Sequence, residues 1–131
     1  MKTFLAVEDD ELIRHLYERS FRVAGHEIEV ANDGEEALDK LSKMEVKPAV
    51  ILLDIMMPKM NGFDVLQAIK ADEKLKNIPV IMLTNLGSEE DRQKGLALGA
   101  LDYLVKSDYN PGQVVEKVIE LTEKGAPPAA A

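Results

Sequence analysis

Three short apolar runs, each closing on a polar residue, limit what this chain can fold into more than anything else in it. They occupy residues 4–7, 49–53 and 80–83, and Leu101 to Val105, broken by Asp102, reads as a fifth strand ending at Lys106. None has the length to cross a bilayer, and each is short for a buried helix. Each therefore reads as a strand buried on both faces, which belongs in a parallel sheet covered by helices. Helical spacings fill the gaps. Leu12, Ile13, Leu16, Tyr17, Phe21 and Ala24 recur at the helical period until Gly25 stops the pattern. Ile28 and Val30 alternate with Glu27 and Glu29, as in a strand with one wet face. Asn32-Asp33-Gly34 is a turn and cap before a helix carrying Ala37, Leu38 and Leu41. Met57-Pro58 and Asn61-Gly62 mark an irregular loop, followed by a helix through Val65, Leu66, Ile69 and Lys70. Ser88 caps an acidic first turn of a helix running to Gly99. Asn110-Pro111 opens a last helix with Val114, Val115, Val118, Ile119 and Leu121. Strand and helix alternate five times. The expected fold is α/β, a five-stranded parallel sheet doubly wound by helices on both faces. One domain over residues 1–124 is expected, with an Ala/Pro-rich tail at 125–131.

Composition narrows the function. The 131 residues carry no cysteine, which excludes disulfides, thiolate metal sites and cysteine nucleophiles. The formal charge is −8, a field that opposes direct contact with nucleic acid. Of the 24 acidic residues 11 lie in residues 1–40, against 5 of the 16 basic ones. The N-terminal apolar stretch turns acidic at Glu8, too early for a signal peptide. These features predict a cytoplasmic protein without membrane contact.

In an open parallel sheet, ligands bind beyond the carboxyl ends of the strands, where the strand order switches. The unusual polar residues fall there. The first strand ends in Glu8-Asp9-Asp10, the third in Asp54, the fourth in Thr84 and the fifth in Lys106. Any one of these reads as turn or surface chemistry; four strand ends together do not. Clustered carboxylates resist ionising beside one another, and a hard cation such as Mg²⁺ relieves that while keeping sites for water and phosphoryl oxygens. A carboxylate beside such a metal can act as a nucleophile toward phosphorus, with a lysine and a hydroxyl neutralising the transferred group. Asp10 is expected to cap the first helix rather than bind metal.

The strand-one acids, Asp54 followed by Met-Met-Pro-Lys-Met-Asn-Gly, Leu83-Thr84 and Asp102-Tyr103-Leu104-Val105-Lys106 together resemble the receiver domain of two-component response regulators. The resemblance covers residues 2–124 and is of the single-domain, chemotaxis-regulator kind, which implies a flavodoxin-like (βα)5 fold. It implies that Asp54 accepts a phosphoryl group from a sensor histidine kinase or phosphotransfer protein. It further implies Mg²⁺ held by Asp9 directly, by Glu8 through water, by Asp54 and by the backbone carbonyl of Met56. Thr84 and Lys106 would contact the phosphoryl oxygens. Thr84 would then move toward the phosphoryl group and let Tyr103 turn inward, altering the face formed by the fourth helix, fifth strand and fifth helix for a downstream output protein. Such a protein is a signalling phosphoacceptor rather than an enzyme.

The sequence departs from the family pattern in places. Ser107 replaces the usual proline after the lysine, a position where the peptide is often cis. Asn85 follows Thr84 where a small residue is common, and is expected to crowd the space Tyr103 would enter. The last helix lacks the arginines of regulators that dimerise through that face. Met56 and Leu86, two residues beyond Asp54 and Thr84, cannot orient a water, which predicts a long-lived phospho-aspartate. Gly62 is expected to permit a turn, His15 and His26 to lie on the surface, Met56, Met57 and Met60 to pack the loop, and Phe21 and Phe63 to enter the core. No output domain is expected after residue 124. The alternatives are a receiver excised from a larger regulator or hybrid kinase, a phosphorylation-independent adaptor, and an aspartate-nucleophile phosphatase. The phosphatase would need a second acid where Met56 stands.

Overall fold

The computed structural model describes residues 2–125. Five strands alternate with five α-helices: β1 (Thr3–Val7), α1 (Glu11–Val23), β2 (Glu27–Ala31), α2 (Gly34–Lys43), β3 (Val50–Leu53), α3 (Gly62–Ala71), β4 (Val80–Thr84), α4 (Glu89–Ala97), β5 (Asp102–Val105) and α5 (Pro111–Gly125). A short 3₁₀ turn, Lys106–Asp108, joins β5 to α5. All pairings are parallel and the sheet order is β2-β1-β3-β4-β5. The chain leaves β1 in one direction for β2 and in the other for β3, so the switch point lies between β1 and β3. The doubly wound parallel sheet expected from the alternation is observed, with the flavodoxin-like order that the resemblance implies.

Helix starts are set by side-chain caps. Asp10, Asp33, Asn61 and Ser88 each accept the backbone N–H three residues on, at 2.9–3.1 Å. Asn110 does the same for Gln113, whose side chain accepts the Asn110 N–H in return. Every helix thus begins at the carboxyl edge of the sheet.

Strand alternation splits the core into two layers. Leu5, Val7, Ile51, Leu53, Val80, Met82 and Tyr103 pack toward α2 and α3 with Ala37, Leu41, Val65, Leu66 and Ile69. Phe4, Ala6, Val50, Leu52, Ile81, Leu83 and Leu104 pack toward α1 and α5 with Tyr17, Phe21, Val114, Val115 and Val118. Phe21 and Phe63 are buried as expected.

Several expectations need correction. Leu12 and Leu16 are 70 % and 42 % exposed, because the α1 stripe that meets the sheet runs through Ile13, Tyr17 and Phe21. Ala24 is the exposed C-cap of α1 rather than a core residue. His26 is half-buried: its Nδ1 accepts the Lys2 N–H at 3.2 Å and its ring meets Phe4 edge-on at 5.4 Å. His15 is exposed as expected. Leu75 and Ile78, in the turn after α3, join the core without any periodic signal. Gly125 ends α5, and the rest of the expected tail lies outside the described residues. Among the described residues no helix is long and apolar enough to cross a membrane.

The corrected α1 face gives a direct stability test. Phe21→Ala should cost about 3–5 kcal/mol in urea unfolding. Leu12→Ala should change stability by less than about 0.5 kcal/mol.

Candidate functional site: a carboxylate cluster at the sheet switch point

Three strand ends converge. Val7 pairs with Leu53 across β1 and β3, which sets the following residues, Glu8 and Asp54, side by side. Continuing the alternation of their strands, Glu8, Asp54 and Lys106 fall on the α1/α5 side of the sheet. Lys106 leaves the edge strand β5, and its side chain passes the end of β4 to reach both acids. Its Nζ donates to Asp54 Oδ2 at 2.8 Å and to Glu8 Oε1. All three side chains are at most 10 % exposed.

The remaining contacts fix these groups. Glu8 Oε2 accepts the Asp10 N–H at 3.0 Å, and Arg14 donates to the Glu8 carbonyl at 3.1 Å. Asp54 Oδ1 accepts the Ile55 N–H at 2.7 Å. Burial pushes the Glu8 carboxyl up, against the opposing pull of Lys106 and the Asp10 N–H. For Lys106, burial alone would lower the ammonium pKa. The hydrogen bonds and charges of Asp54 and Glu8 outweigh it and raise the value. The lysine is therefore a cation throughout the neutral range.

Asp9 is exposed and takes no part in the lysine's ion pairs. Glu8, Asp9 and Asp54 each offer a carboxylate oxygen, and these lie within 4.8 Å of one another. An all-oxygen donor set fits a hard divalent cation.

The chain matches the response regulator receiver domain over residues 4–119. It belongs to that family. It is 42 % identical over 118 residues to the transcriptional regulatory protein CpxR of Escherichia coli K12, covering 90 % of this chain and 48 % of that one. It is also 42 % identical over 125 residues to the probable transcriptional regulator ycf27 of Guillardia theta, covering 93 % of this chain and 47 % of that one. The chain thus spans about half the length of these regulators. Among solved structures, the chemotaxis protein CheY4 of Vibrio cholerae superposes with a TM-score of 0.83 at 38 % identity, covering 92 % of this chain and 98 % of that one. The phosphorylated cyanobacterial phytochrome response regulator RcpA gives 0.83 at 30 % identity, with 95 % of each chain covered. Receiver domains are signalling phosphoacceptors of two-component systems that interact with histidine kinases and output domains. They generally bind Mg²⁺ at an acidic pocket.

In this receiver Thr84 stands apart from the lysine cluster. It is fully buried at the end of β4, and its Oγ1 accepts the Leu86 N–H at 3.3 Å. Its place in the β4 alternation puts it on the Tyr103 side of the sheet. Leu86 links the two residues, because its carbonyl accepts the Tyr103 hydroxyl proton. Tyr103 is already inward and 2 % exposed, where the expectation was an inward turn on activation. Room for the ring comes from Gly95 of α4, where an added Cβ would lie 3.2 Å from Tyr103 Cδ2. Arg92 holds the same strand by donating to the Tyr103 carbonyl at 3.2 Å. Sequence reasoning missed Gly95 and Arg92, since α4 carries no strong apolar stripe to show which side faces inward. The crowding expected from Asn85 is not observed. Asn85 is exposed and lines a separate groove with Ile13, Leu16, Lys106 and Tyr109.

The loops answer one open question and change two expectations. Lys106 pairs with Asp54 although serine rather than proline follows it, and no cis peptide is present among the described residues. Gly62 is not a left-handed turn residue. Its N–H donates to the Ile55 carbonyl at 2.9 Å, and a Cβ there would lie 2.2 Å from the Asp54 carbonyl oxygen. Its lack of a side chain lets α3 start against the backbone of the candidate phosphoacceptor. Met57 and Met60 pack on the core, whereas Met56 is exposed.

Two measurements check this geometry. Gly62→Ala should lower stability by about 1–3 kcal/mol in urea, because the added methyl overpacks rigid backbone. In alkaline titration of phenolate absorbance, Tyr17 and Tyr103 should ionise only at about 12, both held up chiefly by burial. The unfolded phenols ionise first, so stability should fall as the pH rises from about 10 toward that value. Tyr103→Phe should delete one of the late steps; a Tyr103 ionising near about 10 would place its ring outward.

Proposed function

We propose that Asp54 is the phosphoacceptor of this receiver, loaded from the phosphohistidine of a sensor histidine kinase or phosphotransfer protein. The observation that carries the reading is the buried Lys106 ammonium shared between Asp54 and Glu8, beside the free carboxylate of Asp9. Asp54 Oδ2 attacks phosphorus, an O–P bond forms, and the P–N bond to the donor imidazole breaks. Lys106 exchanges its Asp54 contact for a phosphoryl oxygen and stays paired to Glu8, so it need not be gathered in from solvent. Asp9, Asp54 and the Met56 carbonyl would hold a Mg²⁺ ion, with Glu8 acting through water. When bound, that ion would supply neutralisation of phosphoryl charge.

The Thr84 hydroxyl is the second phosphoryl ligand. Turning it toward the phosphoryl group gives up its bond to the Leu86 N–H and so disturbs the Leu86 carbonyl that anchors Tyr103. With Tyr103 already inward, the signal read by an output protein is a shift of the β4–α4 segment and the α4–β5–α5 face rather than a ring flip. The setting of this exchange is cytoplasmic. Neither Met56 nor Leu86 carries a group that can orient water, which favours a long-lived acyl phosphate.

Incubation with acetyl phosphate and Mg²⁺ should add one phosphoryl mass to the intact protein, and Asp54→Asn should abolish the gain. Lys106→Met should slow loading by about a hundredfold or more. After donor removal the label should persist for minutes; loss within seconds would contradict the assignment of Met56 and Leu86.

A further inference from the structure

The chain has six methionines. Met82 is fully buried, and Met44, Met57 and Met60 pack against the core. Met56 is the exception among the described residues, with 63 % of its surface exposed. It stands two residues beyond Asp54, and the segment that presents it is held in place. The Ile55 N–H is bound to Asp54, the Ile55 carbonyl is bound to the Gly62 N–H, and the Ile55 side chain is buried. Met57 on the other side is packed inward. With both neighbours fixed, the Met56 side chain stays exposed two residues beyond Asp54.

We propose that Met56 is an oxidation site through which a peroxide shortens the life of the phosphorylated receiver. The inference rests on Asp54 being the phosphoacceptor. A sulfur lone pair attacks one peroxide oxygen, the O–O bond breaks, and water leaves. The sulfur is oxidised by two electrons to the sulfoxide and the peroxide is reduced by two. A thioether is a poor hydrogen-bond acceptor, whereas a sulfoxide oxygen is polar and accepts strongly. At this position that oxygen can hold a water beside the acyl phosphate, the role that the native side chain cannot fill. Methionine sulfoxide is returned to the thioether by sulfoxide reductases, so the change is reversible.

The test uses the folded protein and dilute hydrogen peroxide. Peptide mass mapping should find the added oxygen on Met56 well before it appears on Met44, Met57, Met60 or Met82. Treated protein, loaded with acetyl phosphate and Mg²⁺ and then freed of donor, should lose its phosphoryl group about three- to tenfold faster than untreated protein. In Met56→Leu the ratio of treated to untreated decay should be about one, and reductase treatment should restore slow decay in the native chain. Oxidation of Met56 no faster than of buried Met82 would overturn the proposal. So would unchanged decay of the Met56 sulfoxide, or equal acceleration in Met56→Leu. Failure of untreated protein to gain a phosphoryl mass would instead overturn the phosphoacceptor reading beneath it, and the peptide map would separate the two results.

Discussion

One ammonium faces two buried carboxylates, and the rest of the molecule is arranged around that imbalance. Lys106 is bound to Glu8 and Asp54 in a nearly closed pocket. Taking those charges out of water is costly, and the cost is offset only while the partners stay in contact. Deleting one partner of such a buried set typically costs about 3–5 kcal/mol. The fold meets the requirement with backbone: β1, β3 and β5 supply one charged group each, and the order β2-β1-β3-β4-β5 brings their ends to one edge. The pocket retains more negative than positive charge, with Asp9 free beside it. A site of that kind favours an added cation and a group that brings its own oxygens for the lysine to bind.

Strand alternation then divides labour between the two faces of the sheet. Glu8, Asp54 and Lys106 belong to the α1/α5 side. Tyr103 packs in the α2/α3 layer and meets Gly95 of α4. Thr84 stands at the end of β4 on the Tyr103 side, tied to Tyr103 through the two backbone groups of Leu86. The contacts that join Thr84 to Tyr103 therefore run through one short segment after β4 rather than through the packed core. Helix α4 is lightly anchored beside it. Its buried residue is Gly95, so its position depends on a few polar contacts such as Arg92 to the Tyr103 carbonyl.

Much of this was legible in the linear chain because local physics decides it. The caps Asp10, Asp33, Ser88 and Asn110 act within three residues. The apolar runs become strands because nothing else buries them so well, and their polar ends mark the ligand edge. Family resemblance then assigned Asp54, Glu8, Asp9, Lys106 and Thr84, of which the structure gathers the first four and leaves Thr84 on its own strand end.

The sequence by itself determined the alternation of strand and helix, the helix starts and which charges gather at one edge, since each follows from spacing along the chain. Only the tertiary structure decided that Leu12 and Leu16 face outward, that Met56 is exposed between two buried neighbours, and that Tyr103 already lies inward over Gly95. It also decided that Gly62 serves close approach to Asp54 rather than a turn. Each of these depends on which neighbour occupies the adjoining space, and that neighbour is distant in sequence, so no local pattern reports it.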